Sequence, residues 1–283
     1  METVQELTAE PEHVDVGRVQ SCSYLLELSL DWIVLRASEN IHQLLGESHV
    51  TLIEEPLGRF VHAQALHDLR NLFSRLSAMT GIGRAYGIRL TDDPDLVDIA
   101  FQVNDGRVVL EAVRSCGNFG ECFGSVGGLS DGLSEHGGQQ LLEAGARRMR
   151  ALTGYDQVSV TCGDMHAESS RGAIGFFAPL NGDLPVLIAD CEAQSVSMYP
   201  RDPDESSIDV ALTRAPDASL VDELRQAGVR SVLRVPFHGD SLSGEFRCGN
   251  RTPDAPNFEM HAAAELFAQL FAMRLEIGRL HQS

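Results

Sequence analysis

The sequence predicts an α+β chain of two domains, each an antiparallel sheet flanked by helices. Three observations predict it. At 283 residues the chain exceeds the usual size of one domain. Strand-like and helix-like segments occur in two separate blocks, each with the mixed order of an α+β unit. Between these blocks, from Gly117 to Gly138, eight residues are glycine, a density that opposes regular structure and marks a linker or mobile loop. The expected organisation is an N-terminal segment 1–21, a first domain 22–116, a Gly-rich linker 117–138, and a second domain 139–283 ending in a long helix.

In the first block "SYLLELSLDWIVLRAS" holds two apolar runs around Ser29-Leu30-Asp31, a hairpin signal. "ENIHQLLG" follows as a short helix stopped by Gly46. Leu66, Leu69, Leu72, Phe73 and Leu76 then recur at helical spacing. "GRAYGIRL", "LVDIAFQV" and "RVVLEAV" read as strands, the last two joined by a turn at Asn104-Asp105-Gly106. In the second block Leu141, Gly145, Met149 and Leu152 share one helical face, and Gly154 suits a C-terminal cap. Strands are expected at "YDQVSVTC", "GAIGFFAPL", "LPVLIAD", "VRSVLRVPF" and "LSGEFRCG", with a short helix at "SLVDELRQAG". In the final helix Ala263, Leu266, Leu270, Met273, Ile277 and Leu280 form a heptad-like stripe beside Phe267 and Phe271. One stripe can pack on the sheet while the other meets a second chain; a single wide face buried within one chain fits the pattern as well.

Hydrophobic residues make up 43% and charged residues 22%, a core-forming composition. The 22 basic residues, all Arg, face 41 acidic ones for a formal net charge of −19. That charge repels phosphate backbones and anionic membranes and excludes nucleic-acid binding by the whole chain. The absence of Lys excludes a P-loop lysine and a Schiff base. The first residues have neither a basic nor an apolar leader region, and no 18 consecutive apolar residues occur, so a soluble cytoplasmic protein is expected. The six Cys are scattered without a CxxC pair or zinc spacing and read as reduced thiols.

Several stretches, in order, carry a resemblance to a known family. "EPEHVDVGRVQSCSYLLELSLDWIVLRASENIHQLLG" resembles the way into the PAS domain of a bacteriophytochrome, where an Ile-Gln-Pro-His-Gly run precedes the first strand. "ALTGYDQVSV" is similar to the first strand of the GAF domain. "IDVALTRAPDASLVDELRQAGVRSVLRVPF" resembles the segment in which an Arg-x-x-Ser-Pro-x-His run opens a helix, and "CGNRTP" resembles a Cys-His-His-x-x-Pro strand exit. The chain is thereby identified as similar to a bacteriophytochrome PAS–GAF region. The resemblance implies PAS followed by GAF, a bilin in the GAF pocket, an N-terminal segment threaded through a GAF loop, and signalling to an output partner.

Residue by residue, the resemblance also implies that the bilin motifs are lost. Leu7 or a neighbour stands at the bacterial attachment cysteine, and residues 1 to 21 contain no Cys. The alternative attachment cysteine and its neighbouring histidine fall on Ser219 and Leu220. The histidine of the last ring falls on Asn250, and the ring-flanking tyrosine on Thr161, followed by Cys162 and Gly163. The Pro-Ala-Ser-Asp-Ile-Pro motif has no counterpart. The expectation is a sensory or regulatory protein with no covalent bilin, acting through a protein partner or an altered ligand, with a homodimer formed through the last helix. Non-covalent biliverdin or haem is the alternative cofactor, with Cys22 or Cys248 as candidate thiols, although a structural thiol is the plainer reading.

Two further patterns bear on chemistry. Gly-Asp-Ser-Leu at Gly239–Leu242 is the nucleophile box of an ester-hydrolase family, which would make Ser241 catalytic. No downstream Asp-x-x-His supplies a base, and a tight turn explains the residues. His62 and His67 are five apart, a spacing that does not align them on a helix for a shared metal; no enzymatic or metal site is expected.

Overall fold

A computed structural model describes residues 17–76, 81–117, 120–171, 186–201 and 208–280. In the first block β1 (Arg18–Gln20) and β2 (Ser23–Ser29) lead into β3 (Val34–Ser38). Short helices α1 (His42–Leu45) and α2 (His49–Leu52) precede α3 (Ala63–Leu76). Gly46 ends α1 in the left-handed region, its N–H returning to the His42 carbonyl. Strands β4 (Gly83–Ile88), β5 (Val97–Asn104) and β6 (Arg107–Arg114) complete this block. Asp105 and Gly106 both have positive φ, the geometry that a two-residue hairpin turn demands. The first core is built from β2, β3, β5, β6 and the helices, around Leu28, Val34, Ile41, Leu52, Leu69 and Ile99.

The glycine-rich segment departs from expectation. Glu121–Ser130 is a helix, α4, where a structureless linker is expected. Its glycines Gly124, Gly127 and Gly128 touch nothing where a Cβ would sit; Val126 is buried, with Phe123 and Leu129 packed at the same core. Apolar burial thus overrides poor helix propensity.

The second block runs α5 (Gly138–Thr153), β7 (Gln157–Cys162), β8 (Met165–Ser170), β9 (Leu187–Ile188), β10 (Ser195–Tyr199), α6 (Ala218–Gln226), β11 (Ser231–His238), β12 (Ser243–Asn250) and α7 (Phe258–Leu280). Gly154 caps α5 as expected. The expected strand "GAIGFFAPL" lies outside the described residues, as do residues 1–16. The sheet order β8-β7-β12-β11-β9 is antiparallel at every pairing. On one face, α5 and α7 bury Val158, Val160, Leu233, Val235, Phe237, Phe246 and Cys248. Phe246 and Phe271 meet at 5.0 Å between ring centroids.

Helix α7 sorts its two apolar stripes. Ala263, Phe267 and Phe271 are fully buried, whereas Leu266, Met273, Ile277 and Leu280 are 45, 61, 43 and 72% exposed. The heptad-like row is therefore split, its Ala263 turned inward and its C-terminal half open.

One strand crosses between blocks. β10 sits in the first sheet, whose order is β1-β10-β3-β2-β6-β5-β4. β1 is thereby held on both sides by one segment of the second domain. It pairs with β10 on one edge; on the other, the Gln20 N–H donates to the Thr213 carbonyl at 3.0 Å and the Ala215 N–H to the Arg18 carbonyl at 2.9 Å. The Gln20 side chain anchors the crossing: its Nε2 donates to the Leu187 carbonyl at 2.6 Å and its Oε1 accepts the Ala189 N–H at 2.8 Å. Residues 195–197 and 213–215 are the two limbs that bracket Arg18–Gln20.

Candidate functional site

Side chains alternate across the second sheet, and its register separates two surfaces. The face away from α5 and α7 carries Gln157, Ser159, Thr161, Arg234, Glu245 and Arg247, placed by the pairs Arg234↔Arg247 and Thr161↔Glu245. Glu245 accepts from Arg234 Nε at 2.9 Å and also from Arg247 Nε. Gln157 donates to Glu168. A sheet surface with a cross-strand ion-pair network is chemically unlike an apolar ligand slot.

The positions matching the bilin pocket are divided among separate environments. Thr161 stands on this polar face. Cys248 lies on the opposite one, fully buried in the helix-facing core, and burial pushes its thiol up to about 12. Asn250 accepts the Asp156 N–H at 2.7 Å through Oδ1 and so fastens the start of β7. Leu220 fills a small apolar cluster with Ile188, Cys191, Leu224, Val229 and Val232. Ser219, its neighbour on α6, faces a groove instead.

That groove encloses about 790 Å³ between residues 190–195 and the start of α6, closed on one side by Arg18 and Gln20 of β1. Asp217 caps α6 by accepting the Leu220 N–H at 2.8 Å. Asp190 receives both Nε and Nη2 of Arg230 at 2.8 Å, a bidentate pair that fixes the groove's wall. Arg225 reaches Asp222 at 2.7 Å and Glu192 at 3.6 Å. The Cys191 thiol donates to the Val229 carbonyl at 3.3 Å, and burial raises its pKa. The groove's contributors are far apart in sequence, and only the resemblance of Val19-Gln20-Ser21-Cys22-Ser23 to the Ile-Gln-Pro-His-Gly run pointed to the first strand belonging with this region.

No activated nucleophile emerges among the described residues. Cys22 is exposed as a residue, yet desolvation of the thiol, then the charge of Asp190, push it up to about 11; desolvation also raises Cys116 and Cys162. Reactive thiols need the opposite shift. Ser241 lies in the β11–β12 turn, its N–H and Oγ both donating to Glu276 Oε1 at 2.8 and 3.1 Å. A carboxylate in place of an imidazole, with no histidine among its hydrogen-bond partners, leaves the serine as turn architecture. His62 pairs with Asp92 at 3.1 Å and His67 with Asn71 at 2.9 Å. No group of three or more candidate metal ligands gathers among the described residues.

No protein-family model matches the sequence, and no curated protein matches it. Solved structures do. The chromophore-binding domain of an unusual bacteriophytochrome from R. palustris aligns over 96% of this chain and 98% of its own, with a TM-score of 0.73 at 20% identity. That of a Stigmatella aurantiaca bacteriophytochrome in the Pr state aligns over 94% and 98%, with a TM-score of 0.75 at 22% identity. A longer R. palustris bacteriophytochrome structure gives 0.80 at 20% identity over 96% of this chain and 61% of that one. The chain has the two-domain PAS–GAF fold of bacteriophytochrome chromophore-binding domains.

Proposed function

We propose that this chain is a phytochrome-related sensory or regulatory module that works without a covalently attached bilin and passes its signal by protein contact. The observation that carries the reading is the scatter of the pocket-matching positions: Cys248 faces the core, Asn250 fastens a strand, Leu220 fills an apolar cluster, and Thr161 adjoins the Arg234–Glu245–Arg247 network. Both candidate attachment thiols are held protonated, which is the unreactive form. The protein is expected to give no zinc-fluorescent band after denaturation when produced with biliverdin, and no red-absorbing, light-switchable species. A switchable red band would overturn the reading.

The groove of about 790 Å³ beside Ser219 supports a second reading, an altered ligand held without a covalent bond. Its volume falls in the range of small-molecule sites. Adding haem tests one such ligand directly: a Soret band that survives desalting would assign the module to haem sensing.

Dimerisation through α7 completes the proposal. Leu266, Met273, Ile277 and Leu280 offer an apolar row four turns long on an otherwise polar helix face, and a second copy of the same row is its natural cover. A Met273→Glu, Ile277→Glu double variant is expected to sediment as a folded monomer at concentrations where the parent is a dimer, with thermal unfolding that no longer depends on protein concentration. A parent that is itself monomeric at about 100 μM, a weak-interaction concentration, would refute the seam. No described helix is long and apolar enough to cross a membrane; a cytoplasmic location and a protein output partner belong to the proposal.

A further inference from the structure

His261, in the first turn of α7, is 1% exposed and touches the other domain. Nη2 of Arg84, from β4 of the PAS sheet, lies 2.7 Å from its Nδ1. Since an arginine only donates, the imidazole accepts there and carries its proton on Nε2. That Nε2 is buried without a hydrogen-bond partner, and so is Arg84 Nε. Glu265, one turn along α7, pairs with Arg84 Nη1 at 2.9 Å, and its other oxygen stops 3.6 Å from His261 Nε2. The contact thus joins a permanent cation to a ring that must stay neutral to receive it.

Titratable groups reach this point from four elements besides His261's own, and β6 contributes Glu111, which is buried, interacts electrostatically with Arg84 and is engaged with the Leu212 and Thr213 N–H groups. β4 contributes Arg84 and Tyr86, whose phenol is pushed up to about 12 by burial above all, with Arg84 acting against the shift and Glu259, Asp98 and Glu265 adding to it. β5 contributes Asp98, engaged with the Gly87 N–H at 2.9 Å. α7 contributes Glu259, which accepts the Gly120 N–H at 2.8 Å, and Glu265. From α4, Cys122 packs at the same core. While the contact is closed, Glu265 is already engaged with Arg84, so the buried cation present is balanced.

We propose that Arg84, His261 and Glu265 form an acid-released latch between the PAS sheet and the long GAF helix. A proton from solvent that binds Nδ1 removes the lone pair Arg84 uses and leaves two cations 2.7 Å apart; β4 then separates from the start of α7. Glu265 is placed to pair with the released imidazolium. Burial first, and Arg84 second, hold the His261 pKa well below its ordinary value. A depressed histidine pKa contributes stability that is fully present above the unfolded value of about 6.5 and is lost as pH falls toward the folded one. This device does not depend on what, if anything, occupies the groove beside Ser219.

Hydrogen exchange of the full chain tests it. After correction for intrinsic chemical exchange, protection of the amides of β4 and the first turns of α7 is expected to fall by up to about tenfold per pH unit below pH ~6.5, the slope of one proton taken up on opening. His261→Asn places an oxygen acceptor where Nδ1 stands, without titrating, and its profile is expected to be flat. Parent protection that does not change with pH, or a His261→Asn profile that tracks the parent, would overturn the latch. Should that variant fail to fold, Arg84→Met provides a second arm: the His261 ring resonance is expected to titrate at higher pH than in the parent, and an unchanged midpoint would refute the role of Arg84.

Discussion

Gly244→Ala is expected to abolish cooperative unfolding of the GAF sheet, or to lower stability by about 4 kcal/mol if the protein still folds. A Cβ at this position would lie 2.2 Å from the Thr161 carbonyl oxygen and 2.4 Å from the Phe237 ring. The carbonyl cannot withdraw, because Gly244 lies in the β7–β12 ladder opposite Cys162. Phe237 cannot swing away either, being fully buried against Phe246 and Phe271. Thermal denaturation followed by circular dichroism reads the effect. Ser243→Ala, one residue earlier and exposed, is expected to change stability by no more than about 0.5 kcal/mol; equal losses from the two substitutions would show that the close approach at Gly244 is not the cause.

Glu111→Ala is expected to cost about 2–6 kcal/mol and to loosen the segment that brackets β1. Glu111, on a central strand of the PAS sheet, accepts the Leu212 N–H at 2.8 Å, the Thr213 N–H at 2.9 Å and the Thr213 hydroxyl at 2.7 Å. Removing it strands two buried backbone donors, each worth about 1–3 kcal/mol when unsatisfied. Burial, partly offset by these donors, raises the Glu111 pKa. A raised carboxyl pKa gives a contribution fully present below the unfolded value, about 4.5, and lost as pH rises through the folded one. Urea midpoints measured across that window should therefore decline with rising pH more steeply in the parent than in Glu111→Gln. A parent and Glu111→Gln of identical slope would refute the assignment.

Local chemistry made much of the fold readable. The Asn104-Asp105-Gly106 turn, the caps at Gly46 and Gly154, and the apolar spacing of α3, α5 and α7 are each set by residues within a few positions of one another. β10 is different: "SVSMY" has little pattern of its own, and its partners are β1 and β3, more than 150 residues upstream. β8, "MHAESS", buries only Ala167, so its period-two signal is nearly absent. α4 was hidden for the opposite reason, since its glycines speak against a helix that tertiary burial of Val126 secures.

The same contrast holds at the candidate site. That Cys248 faces the core follows from alternation with Phe246 two residues earlier, a signal present in "GEFRCGN". The bond from Asp156 to Asn250 and the groove at Ser219 depend on segments that meet only after folding. The resemblance pointed to β7, α6 and β12, but which way each side chain points required the register.

The bracketing of Arg18–Gln20 has a mechanical consequence. Relative motion of the two domains near this point must stretch backbone hydrogen bonds on both edges of a three-residue strand at once, rather than slide one set of side chains over another. The crossing is a stiff joint rather than a sticky contact: hydrogen bonds on two opposite edges resist translation in either direction and rotation about the strand axis alike. A twist generated in one domain can therefore reach the other without the domains having to separate.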